Sequence, residues 1–185
     1  INIYSKISKK KSKLSIPYSD FILLTLHRSE NVDDKKILSS IIKGLIDSNE
    51  NIIFPIHPRT KKRLYEFGLY DKLSQNNNIQ ILDSVGYFDI LELMKNCSFI
   101  VTDSGGIQEE ATSPVIRKKV LVVRKTTDRP EAVESNLAKI IGLDEKIISK
   151  SIKKTMMDPK LYSKKTPYGK GNASGKILKL LQKHF

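Results

Sequence analysis

Residues 98–110, SFIVTDSGGIQEE, read as one strand-to-helix unit. Ser98–Thr102 is an apolar run of strand length with no alternation, which suits a parallel strand buried on both faces. The chain then turns at Asp103 to Gly106, and a helix opens over Gly106–Thr112. Two glycines at such a turn let backbone N–H groups approach a ligand with no Cβ in the way. The start of the helix brings its positive dipole end and free N–H groups to the same place, which suits a phosphate. Ser104 adds a hydroxyl. A carboxylate at Glu109 or Glu110, about one turn inside the helix, suits a neutral diol such as a ribose. The same residues also admit a purely architectural role, with Ser104 or Asp103 capping the helix and the glycines only turning the chain. The string is neither the GxGxxG dinucleotide fingerprint nor the GxxxxGKS/T P-loop.

The flanking sequence repeats the unit. Further strands are expected at Phe21–Leu26, Asn51–Pro55, Ile79–Leu82, Lys119–Val123 and Ala138–Ile141. Between and after them, helices are expected at Ile37–Ile46, Lys61–Phe67, Phe88–Met94, Pro130–Glu134, Asp144–Met156 and Ala173–His184. Strands alternating with helices at this pitch predict right-handed βαβ units. The fold class is therefore α/β, a Rossmann-like three-layer sandwich on a mostly parallel six-stranded sheet. Residues 1–18 read as a basic linker, 19–165 as the Rossmann-like domain, and 166–185 as a loop with a carboxyl-terminal helix. Asp158–Asn172, with two prolines and two glycines, reads as a surface loop before that helix.

Composition narrows the function. A chain of 185 residues supports one core. No apolar run reaches the ~18–20 residues that would span a bilayer, and no apolar stretch follows the basic start to make a secretory signal. Cys97, the single cysteine, excludes a disulfide framework and a cysteine-based zinc site, and reads as a small core residue. A cytoplasmic setting is expected. Lys+Arg 33 against Asp+Glu 20 gives a net charge of +13. The lysines, however, are scattered at Lys9–Lys11, Lys118–Lys119, Lys153–Lys154 and Lys164–Lys165, with no nucleic-acid-binding motif beside them, so no nucleic-acid partner is expected. A basic field of this kind draws in a small anionic substrate.

In an open parallel sheet, ligands bind beyond the carboxyl ends of the strands. The segments that follow the first, second, third, fourth and fifth strands are His27–Asn31, His57–Arg59, Asp83–Tyr87, Asp103–Gly106 and Arg124–Arg129. With parallel strands, all five share one edge. His27 there can contact a phosphate or transfer a proton, although a lone histidine is often structural. His57 and Arg59 repeat the theme. Arg129 can neutralise a diphosphate, or pair with Asp128 or Glu131. His184 has no such context and reads as solvated. Neither a GxSxG elbow nor metal-ligand spacing is present.

Five strings now carry a resemblance: TLHRSENVDD at 25–34, FPIHPRTKK at 54–62, TDSGGIQEEA at 102–111, RKTTDRPEAVE at 124–134 and TPYGKGNASGKIL at 166–178. In order and rough spacing they resemble the non-hydrolysing UDP-N-acetylglucosamine 2-epimerases. The resemblance implies one half of a GT-B arrangement, the carboxyl-terminal Rossmann domain. It would face an amino-terminal Rossmann domain from the same gene or a separate chain, with residues 1–18 the remnant of the hinge and 166–185 packing on that other half. It implies interconversion of UDP-GlcNAc and UDP-ManNAc by UDP elimination and re-addition through a 2-acetamidoglucal. It implies no cofactor and no metal, a role in surface polysaccharide precursor synthesis, and a homodimer of the full enzyme.

Position by position, His27 resembles the family's active-site histidine near the diphosphate. Ser104, Gly105 and Gly106 match its phosphate turn, Glu110 its ribose carboxylate, Arg129 its diphosphate arginine, and Val85 a backbone contact to uracil. Arg28 and His57 match positions that hold an activating second UDP-GlcNAc in some bacterial members. The sequence departs from the pattern at Ile90, where an aromatic residue is usual, in the longer 113–119 segment, which could shift the strand that follows, and in lacking the amino-terminal domain. Two alternatives stand beside the isomerase reading: a non-catalytic UDP-sugar binding module or relic, and a glycosyltransferase carboxyl-terminal domain. HRSEN and TTDRPE weigh against the latter.

Overall fold

Short apolar runs separated by polar segments leave the backbone one economical solution, a central sheet with both faces covered. The computed structural model describes residues 1, 4, 6, 8, 14–169 and 171–184. Six strands form one sheet: β1 (Ile22–Thr25), β2 (Ile52–Pro55), β3 (Ile79–Leu82), β4 (Phe99–Thr102), β5 (Val120–Val122) and β6 (Ala138–Ile140). Their order is β3-β2-β1-β4-β5-β6, with every neighbouring pair parallel. The sheet is the expected Rossmann-like one. Its strand order reverses between β1 and β4, and at such a switch point the two flanking connections leave on opposite faces and open a crevice.

Side chains alternate across each strand, so each face has its own core. Ile22, Leu24, Ile52, Phe54, Phe99 and Val101 point to one side, where they meet Leu38, Ile41 and Leu45 of α2 (Lys35–Ile46) and Ile148 and Ile152 of α8 (Glu145–Met157). Phe21, Leu23, Ile53, Ile100, Val120 and Val122 point to the other. There they meet Leu91 and Met94 of α5 (Tyr87–Asn96), Ala111 of α6 (Gly105–Ala111) and Ala132 of α7 (Pro130–Glu134). Cys97 belongs to this second core, and burial pushes its thiol up to about 12. α2 and α8 pack closely because of Gly44, where a Cβ would stand 2.7 Å from the Glu145 carbonyl and 2.9 Å from Ile148 Cβ. Asp34 and Asp144 cap these two helices, each accepting two backbone N–H bonds.

Two short helices were not expected: α1 (Ser29–Val32) and α4 (Tyr70–Ser74). Neither is long enough to display helical periodicity, and each is anchored by buried residues, Asn31 and Val32 in α1 and Leu73 in α4. α3 (Pro58–Glu66) begins three residues before the expected Lys61, because proline is at home in the first turn and the His57 side chain caps it. The longer 113–119 segment does not displace β5, which keeps its register with β4 through Ile100↔Val120. The extra length folds into a turn closed by Arg117 N–H to the Ser113 carbonyl (3.0 Å), with Ile116 buried and Arg117 in the left-handed region at φ 47°.

Within 1–18, Tyr4 stands edge-on to Tyr87 at 5.8 Å, and Ser8 hydrogen-bonds Glu92, so both touch α5. The Lys9–Lys11 cluster lies outside the described residues, as does the His184 side chain. The last helix, α9 (Ala173–His184), exposes Ile177, Leu178, Leu180 and Leu181, each at least half accessible. Among the described residues, no helix is long and apolar enough to cross a membrane.

Candidate functional site

The carboxyl ends of β1 and β4 bring His27 and Ser104 to the same rim, joined by Asp103. This carboxylate is fully buried and accepts backbone N–H bonds from His27 (3.1 Å) and Arg28 (2.9 Å) and the side-chain N–H of Asn31 (3.2 Å). It also lies 3.3 Å from His27 Nδ1. A buried carboxylate is stable only when such donors surround it. The effect is to hold the loop after β1 against the turn after β4. His27 keeps a 37% exposed side chain, within reach of a ligand. Asp103 is thus not the cap of α6. Ser104 is, accepting the Ile107 N–H.

Beyond that cap, the first N–H groups of α6 have no intrahelical acceptor. The space over the turn is cationic. A Cβ at Gly105 would lie 3.6 Å from Arg28 Nη2 and 3.7 Å from Arg129 Cζ, so both guanidiniums converge where glycine leaves room. Each is currently held by a carboxylate. Arg28 Nη2 meets Asp128 at 3.0 Å, and Arg129 Nε meets Glu109. Of the partners expected for Arg129, Asp128 contributes only its backbone carbonyl, at 2.8 Å from Nη1. The acid that pairs with it is Glu109, on the facing helix, instead of its neighbours in sequence. Arg124 completes the cluster, 2.9 Å from Asp128 and 3.1 Å from Glu30, and its hydrogen bond keeps the Asp128 carboxyl below the usual range. Arg28 Nε is enclosed without a hydrogen-bond partner among the described residues. An anion with several oxygens can satisfy such donors better than single exposed carboxylates.

On the other side of the rim, a cavity of about 180 Å³ is lined by His27, His57, Val85 and Ile90, among others. The two imidazoles stand 5.6 Å apart. His57 is partly spent on structure, since its Nδ1 accepts the Arg59 N–H at 3.2 Å. Arg59 does not join the crevice. Its guanidinium binds Asp33 together with Arg63, and their hydrogen bonds lower the Asp33 carboxyl to about 2. Glu110 lies along α6 at a second hollow of about 270 Å³. One of its oxygens accepts the Tyr87 hydroxyl at 3.2 Å, while Oε2 is enclosed with no partner among the described residues, and burial raises its pKa. A larger hollow, about 780 Å³, opens elsewhere, between β6 and α8, and contains none of these residues.

The strand-end segments read from the sequence do meet at one end of the sheet, but the hydrogen bonds that tie them together, through Asp103, Asn31, Gln108, Thr127 and Tyr87, were not legible in it. Asn31, Tyr87 and Thr127 lay in the strand-end segments, and Gln108 offered a signal of its own as a polar residue four positions after Ser104 along the helix.

The family described as UDP-N-acetylglucosamine 2-epimerase matches residues 2–182. The chain belongs to this family. A UDP-N-acetylglucosamine 2-epimerase of Methanocaldococcus jannaschii is 43% identical over 166 residues, which covers 88% of this chain and 44% of that protein. The crystal structure of the Methanocaldococcus jannaschii UDP-GlcNAc 2-epimerase in complex with UDP-GlcNAc and UDP superposes with a TM-score of 0.81 at 38% identity, over 98% of this chain and 49% of that one. The Neisseria meningitidis enzyme bound to UDP-GlcNAc superposes with a TM-score of 0.77 at 32% identity, over 99% and 50%. The chain therefore spans about half the length of the epimerases it matches.

Proposed function

We propose that this chain is the UDP-binding half of a UDP-N-acetylglucosamine 2-epimerase working in the cytoplasm toward surface polysaccharide precursors. One observation carries the reading: two guanidiniums converge over Gly105 beside a histidine anchored to a buried aspartate, at the switch point of the sheet. In this reading Ser104, Gly105 and Gly106 receive the diphosphate through hydroxyl and backbone donors, and Arg129 exchanges Glu109 for phosphate oxygens. Glu110 offers its unpaired oxygen to the ribose, and Val85 contributes its backbone to the uracil, packed beside Ile90. Arg28 and His57 line the place for a second, activating UDP-GlcNAc.

The reaction removes the C2 proton of the sugar and breaks the bond from C1 to the UDP oxygen, leaving a 2-acetamidoglucal. UDP adds back at C1 while C2 takes a proton on the opposite face. His27, with Nδ1 toward Asp103, has Nε2 free to contact the departing phosphate. The groups that act at C2 are assigned to an amino-terminal Rossmann domain across the cleft, because elimination needs base and leaving-group contacts on opposite sides of a closed site. The exposed Ile177, Leu178, Leu180 and Leu181 supply an apolar face for that domain.

Calorimetric titration of the chain with UDP tests the binding half, and proton–deuterium exchange at C2 of UDP-GlcNAc tests the division of labour. UDP binding without exchange is expected, with exchange appearing when the amino-terminal half is supplied. Absence of UDP binding by a chain with intact far-UV circular dichroism would reduce it to a relic of the fold.

A further inference from the structure

We infer that Gln108 is a positioning residue that ties the glycine turn to the Thr127–Arg129 loop, and so aims Arg129 at the diphosphate. The inference rests on the proposed reading of the crevice and adds a residue to it. Gln108 is fully buried, yet both ends of its amide are used. Nε2 donates to the Ser104 carbonyl at 3.2 Å, and Oε1 accepts the Thr127 hydroxyl at 2.6 Å. The Thr127 oxygen in turn accepts the Arg129 backbone N–H at 3.1 Å. A continuous chain of bonds thus runs from the residue that caps α6, through a side-chain amide and a hydroxyl, to the backbone of the arginine over Gly105.

The chemistry of each link is specific. The Ser104 carbonyl accepts the Gln108 backbone N–H at 3.2 Å and takes the side-chain amide as a second donor, while the Thr127 hydroxyl finds its acceptor in Oε1, and glutamine supplies both at the required length. Glutamate would set an acceptor against the carbonyl, and asparagine falls one methylene short. Leucine would fill nearly the same volume with no polar group to satisfy, so packing alone does not explain an amide here. The loop also needs an anchor. Arg129 precedes Pro130, which restricts its backbone, and it sits at φ −130° and ψ 61°, outside the helix it leads into. Among the described residues, the Arg129 side chain hydrogen-bonds Glu109 and the Asp128 carbonyl, not Gln108. Its direction depends on where the bonded N–H fixes its Cα.

The test compares affinity for UDP with affinity for uridine, which lacks the diphosphate, in the wild-type chain and four variants, by calorimetry and ligand-observed NMR. Gln108→Leu and Thr127→Val are expected to weaken UDP binding by about 5- to 100-fold, the cost of stranding buried polar partners, and to leave uridine binding unchanged. Gln108→Glu is expected to behave like Gln108→Leu. Thr127→Ser, which keeps the hydroxyl, is expected to retain wild-type UDP affinity. Equal losses for UDP and uridine would mean a merely structural role and overturn the inference, as would unchanged UDP affinity in Thr127→Val. Should Gln108→Leu fail to fold, the Thr127 pair decides alone. A wild-type chain that binds no UDP would overturn the reading beneath the inference and the inference with it, whereas UDP binding with an unmoved ratio would overturn the inference only.

Discussion

Asp103 and Glu110 flank the same glycine turn and have opposite fates. Asp103 is fully buried, with donors from His27, Arg28 and Asn31 around its oxygens. Glu110 is half-buried, with one oxygen on the Tyr87 hydroxyl and the other enclosed and unpaired. A carboxylate whose lone pairs are all used inside the protein has become architecture. One left short of a donor keeps an unused acceptor, and folding tolerates it at some expense in stability. In the proposed reading, the difference separates the residue that builds this site from the one assigned to the ribose.

The largest expected effect tests the architectural side. Asp103→Ala strands two backbone N–H groups and the Asn31 amide, and should cost about 3–5 kcal/mol of unfolding free energy in urea titrations. A loss no greater than that of Glu110→Ala would break the contrast. Next in size, Glu110→Gln should weaken UDP binding by about 1–3 kcal/mol in calorimetry, because the amide has one accepting oxygen for the Tyr87 hydroxyl and the ribose, where the carboxylate has two. Unchanged affinity would remove Glu110 from the ribose.

The same substitution should act on stability in the other direction. Burial raises the Glu110 pKa in the folded chain, so the native state holds this proton more tightly than the unfolded one. The resulting contribution to stability is present below the ordinary glutamate range and is lost as pH rises through the raised value. Glu110→Gln should therefore be more stable than wild type at pH 7, by no more than about 1 kcal/mol for a half-exposed group, with the gap closing in acid. A gap that widens in acid would refute the assignment. The smallest effect belongs to the partly buried Asp33, held at about 2 by Arg59 and Arg63. Its contribution is present above the ordinary aspartate value and is lost as pH falls through about 2. Asp33→Asn should lower the thermal midpoint slightly at neutral pH and leave it unchanged below that value.

Much of this could be read along the chain. Apolar runs such as FILLTL and SFIVT lie in buried parallel strands, and the rule that ligands meet the strand ends brought His27, Ser104 and Arg129 to one rim before any coordinates. α1 escaped notice because four residues carry no period. It is held instead by Asn31, whose side chain reaches Asp103 and the Val123 carbonyl. The counter-ion of Arg129 escaped for a related reason. Its neighbours Asp128 and Glu131 looked available, but the partner is Glu109, twenty positions away on another helix.

Periodicity, turn chemistry and the order of strands and helices are local properties, and in this chain they were enough to determine the sheet, its direction and the edge where its polar strand-end segments gather. Which carboxylate is silenced, which arginine is aimed and which amide links them depend on donors and acceptors that lie tens of residues apart in sequence and a few ångströms apart in space. Hydrogen bonds act over those few ångströms, so only the folded arrangement could assign them.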